Sequence, residues 1–162
     1  MNKRKILVTL ESRATYGYTK NVMNAMMKYS NLDLFTLVTG MHLVPELGNS
    51  IDLIKKDGFP VSAKVPLHGG DKGKSSWSRS LGRGIEGIAA AYEKINPDIV
   101  YTNHYGDLNI DHKITYESCL TACRPTHKKN PKLYSFGVIS SMEWNHPTSF
   151  NPNYFVNISK NM

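Results

Sequence analysis

The chain has few cysteines, two in 162 residues, and no apolar run near the roughly 20 residues that a membrane-spanning helix requires. Cys119 and Cys123 lie four apart on an expected helix, a spacing that seldom meets disulfide geometry, so thiols are the expectation and a disulfide-stapled scaffold is excluded. The basic start Met1 to Lys5 is followed by an apolar stretch of only Ile6 to Leu10, too short for a signal-peptide core and suited to a first strand. A cytoplasmic location without membrane partners is therefore expected. No internal repeat and no low-complexity linker is present. Acidic residues are the scarcer charge, 13 against 20 basic ones, giving a net charge of +7 and a pI near 9.4. That balance suits an anionic partner. The basic residues are scattered and not interleaved with aromatics, so a nucleic-acid surface is not expected and a phosphorylated small molecule is.

What is present is ordinary for a globular domain: 40% hydrophobic and 20% charged residues, in a length suited to one domain burying about two-thirds of its unfolded surface. Lys5 to Glu11 reads as a strand covered on both faces. A helix is expected over Tyr18 to Tyr29, with Val22, Met23, Met26 and Met27 filling the core. Leu32 to Thr39 is a second strand, Ser50 to Lys56 a short helix, and Val61 to Val65 a third strand before the glycine-rich loop Pro66 to Lys74. Trp77, Leu81, Ile85, Ile88, Tyr92 and Ile95 recur every three or four residues, predicting a helix over Ser76 to Ile95 with these side chains inward. Asp98 to Thr102 is the next strand. A helix is expected over Lys113 to Cys123, with Tyr116, Cys119, Leu120 and Cys123 inward. Strands are expected over Leu133 to Ser140 and Tyr154 to Ile158, with a Trp144-bearing loop between them. The alternation predicts an α/β, Rossmann-like layered fold with a mostly parallel sheet in a single domain.

Chemistry in such a sheet gathers at the carboxyl ends of the strands. Two places stand out. Ser12 to Gly17 turns from the first strand into the first helix, where backbone N–H groups suit a phosphate and Arg13 adds a planar donor. The polar loop Asn103 to His112 carries His104, Asp107, Asp111 and His112 after the fourth strand. His42 follows the second strand, as either a ligand contact or a plain loop histidine. His127 and His146 lie in loops without ligand spacing.

From residue 3 to about 100 the chain resembles the start of a hydrolysing UDP-N-acetylglucosamine 2-epimerase of the sialic-acid-pathway type. Lys5 to Thr9, Ser12 to Gly17, Leu37 to Leu43, Glu46 to Asn49, Asp57 to Phe59, Ser80 to Gly87 and Pro97 to Val100 carry the likeness. It implies a UDP-sugar partner, with Arg13, His42 and the glycine-rich Gly82 to Gly87 segment at the nucleotide-sugar site. The chain departs from the pattern at Thr15, where that family has Glu. It also lacks a Gly-Asp-Arg motif after the strand near residue 100, since Gly106-Asp107 comes about two positions late and no Arg follows.

From Pro97 to Met162 it resembles a zinc-dependent N-acetylglucosaminyl deacetylase of the PIG-L or LmbE-like kind, through Asp98 to Thr102, His104 to His112, Leu120 to Pro125, Tyr134 to Phe136, Ser140 to Trp144 and Phe150 to Val156. That likeness implies an N-acetylglucosaminyl small molecule as partner and His112 as a zinc ligand. Asp107, Asp111 and His104 become the candidate catalytic and ligand-orienting groups. The family's other two ligands come from a His-Pro-Asp-Asp-Glu motif after the first strand, where this chain has Glu11 to Thr15. His68-Gly69-Gly70-Asp71 repeats the His-x-x-Asp spacing elsewhere. The expected organisation is an epimerase-like half, residues 1–100, and a deacetylase-like segment, residues 97–162, packed as one domain. Three functions follow: a 2-epimerase-like protein, a zinc-dependent amide hydrolase, or a noncatalytic nucleotide-sugar-binding remnant. A homo-oligomer stays open.

Overall fold

In the computed structural model, residues 3–70, 73–125, 130–142, 150–157 and 159 are described. Five strands form one sheet: β1 (Arg4–Leu10), β2 (Leu32–Thr39), β3 (Val61–Val65), β4 (Ile99–Asn103) and β5 (Lys132–Phe136). Their spatial order is β3-β2-β1-β4-β5, and every pairing is parallel. The helices are α1 (Arg13–Met27), α2 (Ile51–Lys56), α3 (Ser76–Ile95) and α4 (Ile110–Ala122). Chain order reverses direction across the sheet between β1 and β4, so the crevice beyond their carboxyl ends is the topological switch point where such sheets bind ligands.

β1 explains the layering. Its alternate side chains point to opposite faces. Leu7 joins Leu37, Val65, Ile88, Tyr92, Val100 and Ile114 beneath α3 and α4. Ile6, Val8 and Leu10 join Tyr16, Met23, Val38 and Ile54 beneath α1 and α2. A strand buried on both sides has no polar stripe, which is why Lys5 to Glu11 reads as nearly continuous apolar sequence.

The helix ends are set by capping. Ser12 accepts the Thr15 backbone N–H on its side chain and starts α1 at Arg13, five residues before the apolar spacing alone suggests. Asn109 does the same for Asp111 and starts α4 at Ile110. Inside α1 only Met23 of the expected methionine core is fully buried, while Val22 and Met27 are exposed. Trp77 and Leu120 are exposed as well, and Ile114 and Ser118 take the inward positions of α4. The last strand differs from expectation: Tyr154 to Asn157 is not in the sheet, although Tyr154 packs on Tyr134 at 5.1 Å between ring centroids. β5 stops at Phe136 because Gly137 leads into a short 3-10 turn, Ile139–Ser141. The Trp144 loop, Asp71, His127 and His146 lie outside the described residues. Among the described residues no helix is long and apolar enough to cross a membrane.

The glycine-rich Gly82 to Gly87 segment is helical, as the apolar spacing over Ser76 to Ile95 predicts. It lies within α3, where a Cβ on Gly84 would stand 2.5 Å from Ser118 Oγ and one on Gly87 would stand 2.6 Å from Val65 Cγ1. These glycines let α3 approach α4 and β3 closely.

Candidate functional site

The carboxyl ends of β1 and β4 bring together two groups of residues about a hundred positions apart. Glu11 and Ser12 follow β1, while Asn103 ends β4 and Asp107, Asp111 and His112 come from the next loop and the start of α4. All six are buried.

His112 is the hub. Its Nδ1 meets Asp107 Oδ2 at 2.7 Å, and its Nε2 meets Glu11 Oε1 and Ser12 Oγ, each at 3.0 Å. Ser141 donates to the same Asp107 oxygen at 2.7 Å, and the Asn109 N–H donates to Asp107 Oδ1 at 2.9 Å. Glu11 Oε1 also receives the Asn103 amide at 3.0 Å and the Thr15 hydroxyl. Glu11 Oε2 and Asp111 Oδ1 are buried without a hydrogen-bond partner.

The electrostatics follow from this crowding. Burial raises the Glu11 pKa and outweighs the nearby His112 charge and the donors from Thr15 and Asn103. Burial pulls His112 down, but the bond to Asp107 and the charges of Glu11, Asp107 and Asp111 outweigh it and leave the imidazole raised. Burial raises Asp107 too, but the bonds from His112, Ser141 and the Asn109 N–H prevail and hold it low. Asp107 is thus a fixed anion that fixes the ring of His112.

Two cavities open on this edge. One of about 380 Å³ is lined by Ser12, Arg13, Ala14, Met41, Ser50 and His112, among others. Arg13 stands at its rim, donating to Leu47 O at 2.9 Å and lying over Gly48, where a Cβ would come within 2.8 Å of its Nη2. The other, about 700 Å³, is lined by His68, Trp77, Arg83 and Asp111 among others. There His68 Nε2 lies 3.1 Å from Asp111 Oδ2.

Asp107, Asp111 and His112 are therefore drawn together as the loop sequence suggests, and Arg13 reaches the same edge. His104 is not drawn in. Its Nδ1 accepts the Gly106 N–H at 3.1 Å, and its ring lies against Tyr105 and Phe150 in a separate aromatic cavity. The turn at Tyr105-Gly106 points it away, so it is not the group that orients His112. His42 is fully buried, with Nε2 donating to Ser12 O at 2.9 Å and Nδ1 bonded to Ser50 at 2.8 Å. Desolvation lowers its pKa to about 4, so it is a neutral brace for the Ser12 turn. Sequence spacing does not single out Glu11, Asn103 or the Ser12 hydroxyl. The one signal for them is a carboxylate and a hydroxyl closing an otherwise apolar strand.

A zinc site needs three protein ligands and an open position. Among the described residues no three His, Cys, Asp or Glu side chains are grouped to hold a metal ion. The Nε2 of His112, its one nitrogen not engaged by Asp107, faces a carboxylate and a hydroxyl at hydrogen-bond distance. His68 pairs with Asp111 at 3.1 Å, and the Asp71 of its His-x-x-Asp spacing lies outside the described residues. Among the described residues, the side chains around His112 do not fit zinc.

No family model matches the chain. Over 97 residues, 60% of its length, it is 32% identical to a UDP-N,N'-diacetylbacillosamine 2-epimerase (hydrolyzing) of Legionella pneumophila. Over 100 residues, 62% of its length, it is 30% identical to a GDP/UDP-N,N'-diacetylbacillosamine 2-epimerase (hydrolyzing) of Campylobacter jejuni. The aligned part is 26% of each of those proteins, so the chain matches about a quarter of their length. The solved UDP-GlcNAc 2-epimerase of Neisseria meningitidis, bound to UDP-GlcNAc, superposes with a TM-score of 0.55 at 13% identity, covering 71% of this chain and 28% of that one. A deacetylase of the teicoplanin biosynthesis pathway superposes with a TM-score of 0.50 at 12% identity, covering 92% of this chain and 72% of that one. These two likenesses show a shared fold. In sequence, the chain is similar in its N-terminal region, over about a hundred residues, to hydrolysing nucleotide-sugar 2-epimerases.

Proposed function

We propose that this chain binds a nucleotide sugar of the UDP-N-acetylhexosamine class at the carboxyl edge of its sheet, as a 2-epimerase-like protein with an incomplete catalytic set. The observation that carries the reading is Arg13. It stands exposed at the first turn of the fifteen-residue α1 and lines the 380 Å³ cavity. Free N–H groups and the helix dipole there favour a diphosphate, and the guanidinium adds two parallel donors. The N-terminal sequence similarity supports the same ligand class. Titration calorimetry with UDP and UDP-N-acetylglucosamine tests it: binding is expected in the wild type and should weaken about tenfold or more in Arg13→Ala, the loss of a charge-assisted contact. Equal affinities in the two proteins would remove the assignment.

A second reading, amide hydrolysis of an N-acetylglucosaminyl compound in the manner of a PIG-L or LmbE-like deacetylase, is favoured by the Asp107–His112 pair in the C-terminal segment. In such enzymes a carboxylate commonly orients a metal-bound histidine. The donor geometry among the described residues speaks against zinc, so protein purified without chelator is expected to hold well under one zinc per chain by elemental analysis. Stoichiometric zinc that His112→Ala loses would restore the metal-dependent reading. On either reading the two likenesses meet near β4 within one domain, with residues 1–100 epimerase-like and 97–162 deacetylase-like.

A further inference from the structure

We infer that Ser12, His112 and Asp107 form a serine nucleophile with its base and orienting carboxylate, giving the chain a metal-free acyl-transfer activity toward short-chain esters. The geometry is that of the Ser–His–Asp arrangement, which is recognised by roles and distances rather than by sequence position. Ser12 Oγ lies 3.0 Å from His112 Nε2, and His112 Nδ1 lies 2.7 Å from Asp107 Oδ2. The contact with His112 is the shortest that the Ser12 hydroxyl makes; those to Thr15 Oγ1 and Glu11 Oε1 are 3.3 and 3.4 Å. Asp107 is pinned by Ser141 and the Asn109 N–H, so the imidazole is held in one orientation.

The surroundings fit the same chemistry. Ser12 sits at the turn between a parallel strand and the helix that follows, the placement used by serine hydrolases built on α/β sheets. Ser12 and His112, both buried, line the 380 Å³ cavity, so a space of substrate size adjoins the pair. The N–H groups of Arg13 and Ala14 belong to the first turn of α1 and have no partner within the helix, which makes them available to a developing oxyanion. Met41, Leu47 and Ala14 line the cavity with apolar surface for a short acyl chain, and Arg13 suits a negative charge on the alcohol side.

The step balances without a metal. Ser12 Oγ bonds to the ester carbonyl carbon as its proton passes to His112 Nε2, and the carbonyl π pair moves to oxygen. Collapse breaks the bond to the alcohol oxygen, which receives the proton from His112. Water then repeats the sequence on the acyl-serine, releasing the carboxylic acid and returning the proton to Ser12. Glu11 Oε1, also 3.0 Å from Nε2, competes with Ser12 for that nitrogen. For the transfer to occur, Ser12 and not Glu11 alone must be the working partner of His112.

This activity does not depend on nucleotide-sugar binding, because the probe carries no nucleotide. The purified full chain is incubated with p-nitrophenyl acetate and, separately, with a fluorophosphonate label, and the modified residue is located by peptide mass spectrometry. Label and acetyl adduct are expected on Ser12, with steady release of p-nitrophenol. Ser12→Asn keeps a residue that caps helices well but has no nucleophile, so it should fold while losing the label and about a hundredfold of turnover or more. His112→Gln should lose both as well. Asp107 acts through His112 and is a positioning residue: Asp107→Asn should slow turnover and move the acid limb of the pH–rate profile to lower pH, because a carboxylate that raises the imidazole is gone. An unlabelled Ser12 in the wild type, or turnover unchanged in a folded Ser12→Asn or His112→Gln, would overturn the inference.

Discussion

At the scale of single residues, the site is a contest between desolvation and pairing. His42 shows desolvation prevailing. Buried and neutral, with a pKa near 4 against about 6.5 when unfolded, it stabilises the fold above the unfolded value and loses that contribution as pH falls from 6.5 toward 4. The full loss is about 3 kcal/mol. Urea midpoints taken between pH 7 and 4.5 should fall less steeply in His42→Gln than in the wild type, and parallel slopes would contradict the role. His112 shows pairing prevailing. Glu11→Gln removes one of the charges that raises it, so an NMR titration of the His112 ring is expected to give a lower pKa in the variant. The two histidines also show what sequence can convey. The loop after β4 displays Asp107, Asp111 and His112 within six positions, so their convergence is readable from spacing alone. That His42 turns inward and His104 turns away depends on Ser50 and on the aromatic side chains around Phe150, partners set by the packed fold rather than by neighbours in sequence.

At the scale of elements, apolar periodicity locates the helices and capping fixes their ends. The twenty-residue α3 matches its apolar repeat over Ser76–Ile95, yet its first aromatic, Trp77, is exposed because the helix begins beyond the edge of the core. α1 begins earlier than its apolar spacing indicates, because Ser12 supplies the cap while the first turn faces the site and needs no apolar stripe. The glycines of α3 separate two physical roles. Gly82 is exposed, and a Cβ added there would meet nothing within 4 Å, so Gly82→Ala should stabilise by about 0.5–1 kcal/mol through the unfolded chain and helix propensity. Gly87 meets the stiff, buried Val65, so Gly87→Ala should cost about 1–3 kcal/mol through overpacking. Chemical denaturation of the two variants side by side reads the opposite signs directly. The two glycines lie five residues apart in one helix, and only the packing partner of each sets the sign.

At the scale of the whole molecule, the parallel sheet is readable from the alternation of apolar strands with helical segments, because only a sheet covered on both faces tolerates strands without a polar stripe. Strand order is not readable in the same way. The place of β4 beside β1 rests on pairings such as Ile6 with Ile99, and no local pattern encodes them. The site inherits that dependence, since its base and its candidate nucleophile arrive from opposite flanks of this seam. Cutting the chain between β3 and α3 should leave two polypeptides that are each inactive toward p-nitrophenyl acetate, with turnover recovered only on mixing if they reassociate through β1 and β4. Turnover in the first piece alone would show that His112 is not required.

The central position of β1 has a further consequence for how the protein is made. On a ribosome, β1 can pair with β2 on one side once both have emerged, but its other edge stays bare until β4 has been synthesised about ninety residues later. At about 5–20 residues per second, that interval lasts some seconds. During it the nascent chain exposes an apolar strand edge, the kind of surface that holding chaperones recognise and that draws neighbouring copies into aggregates.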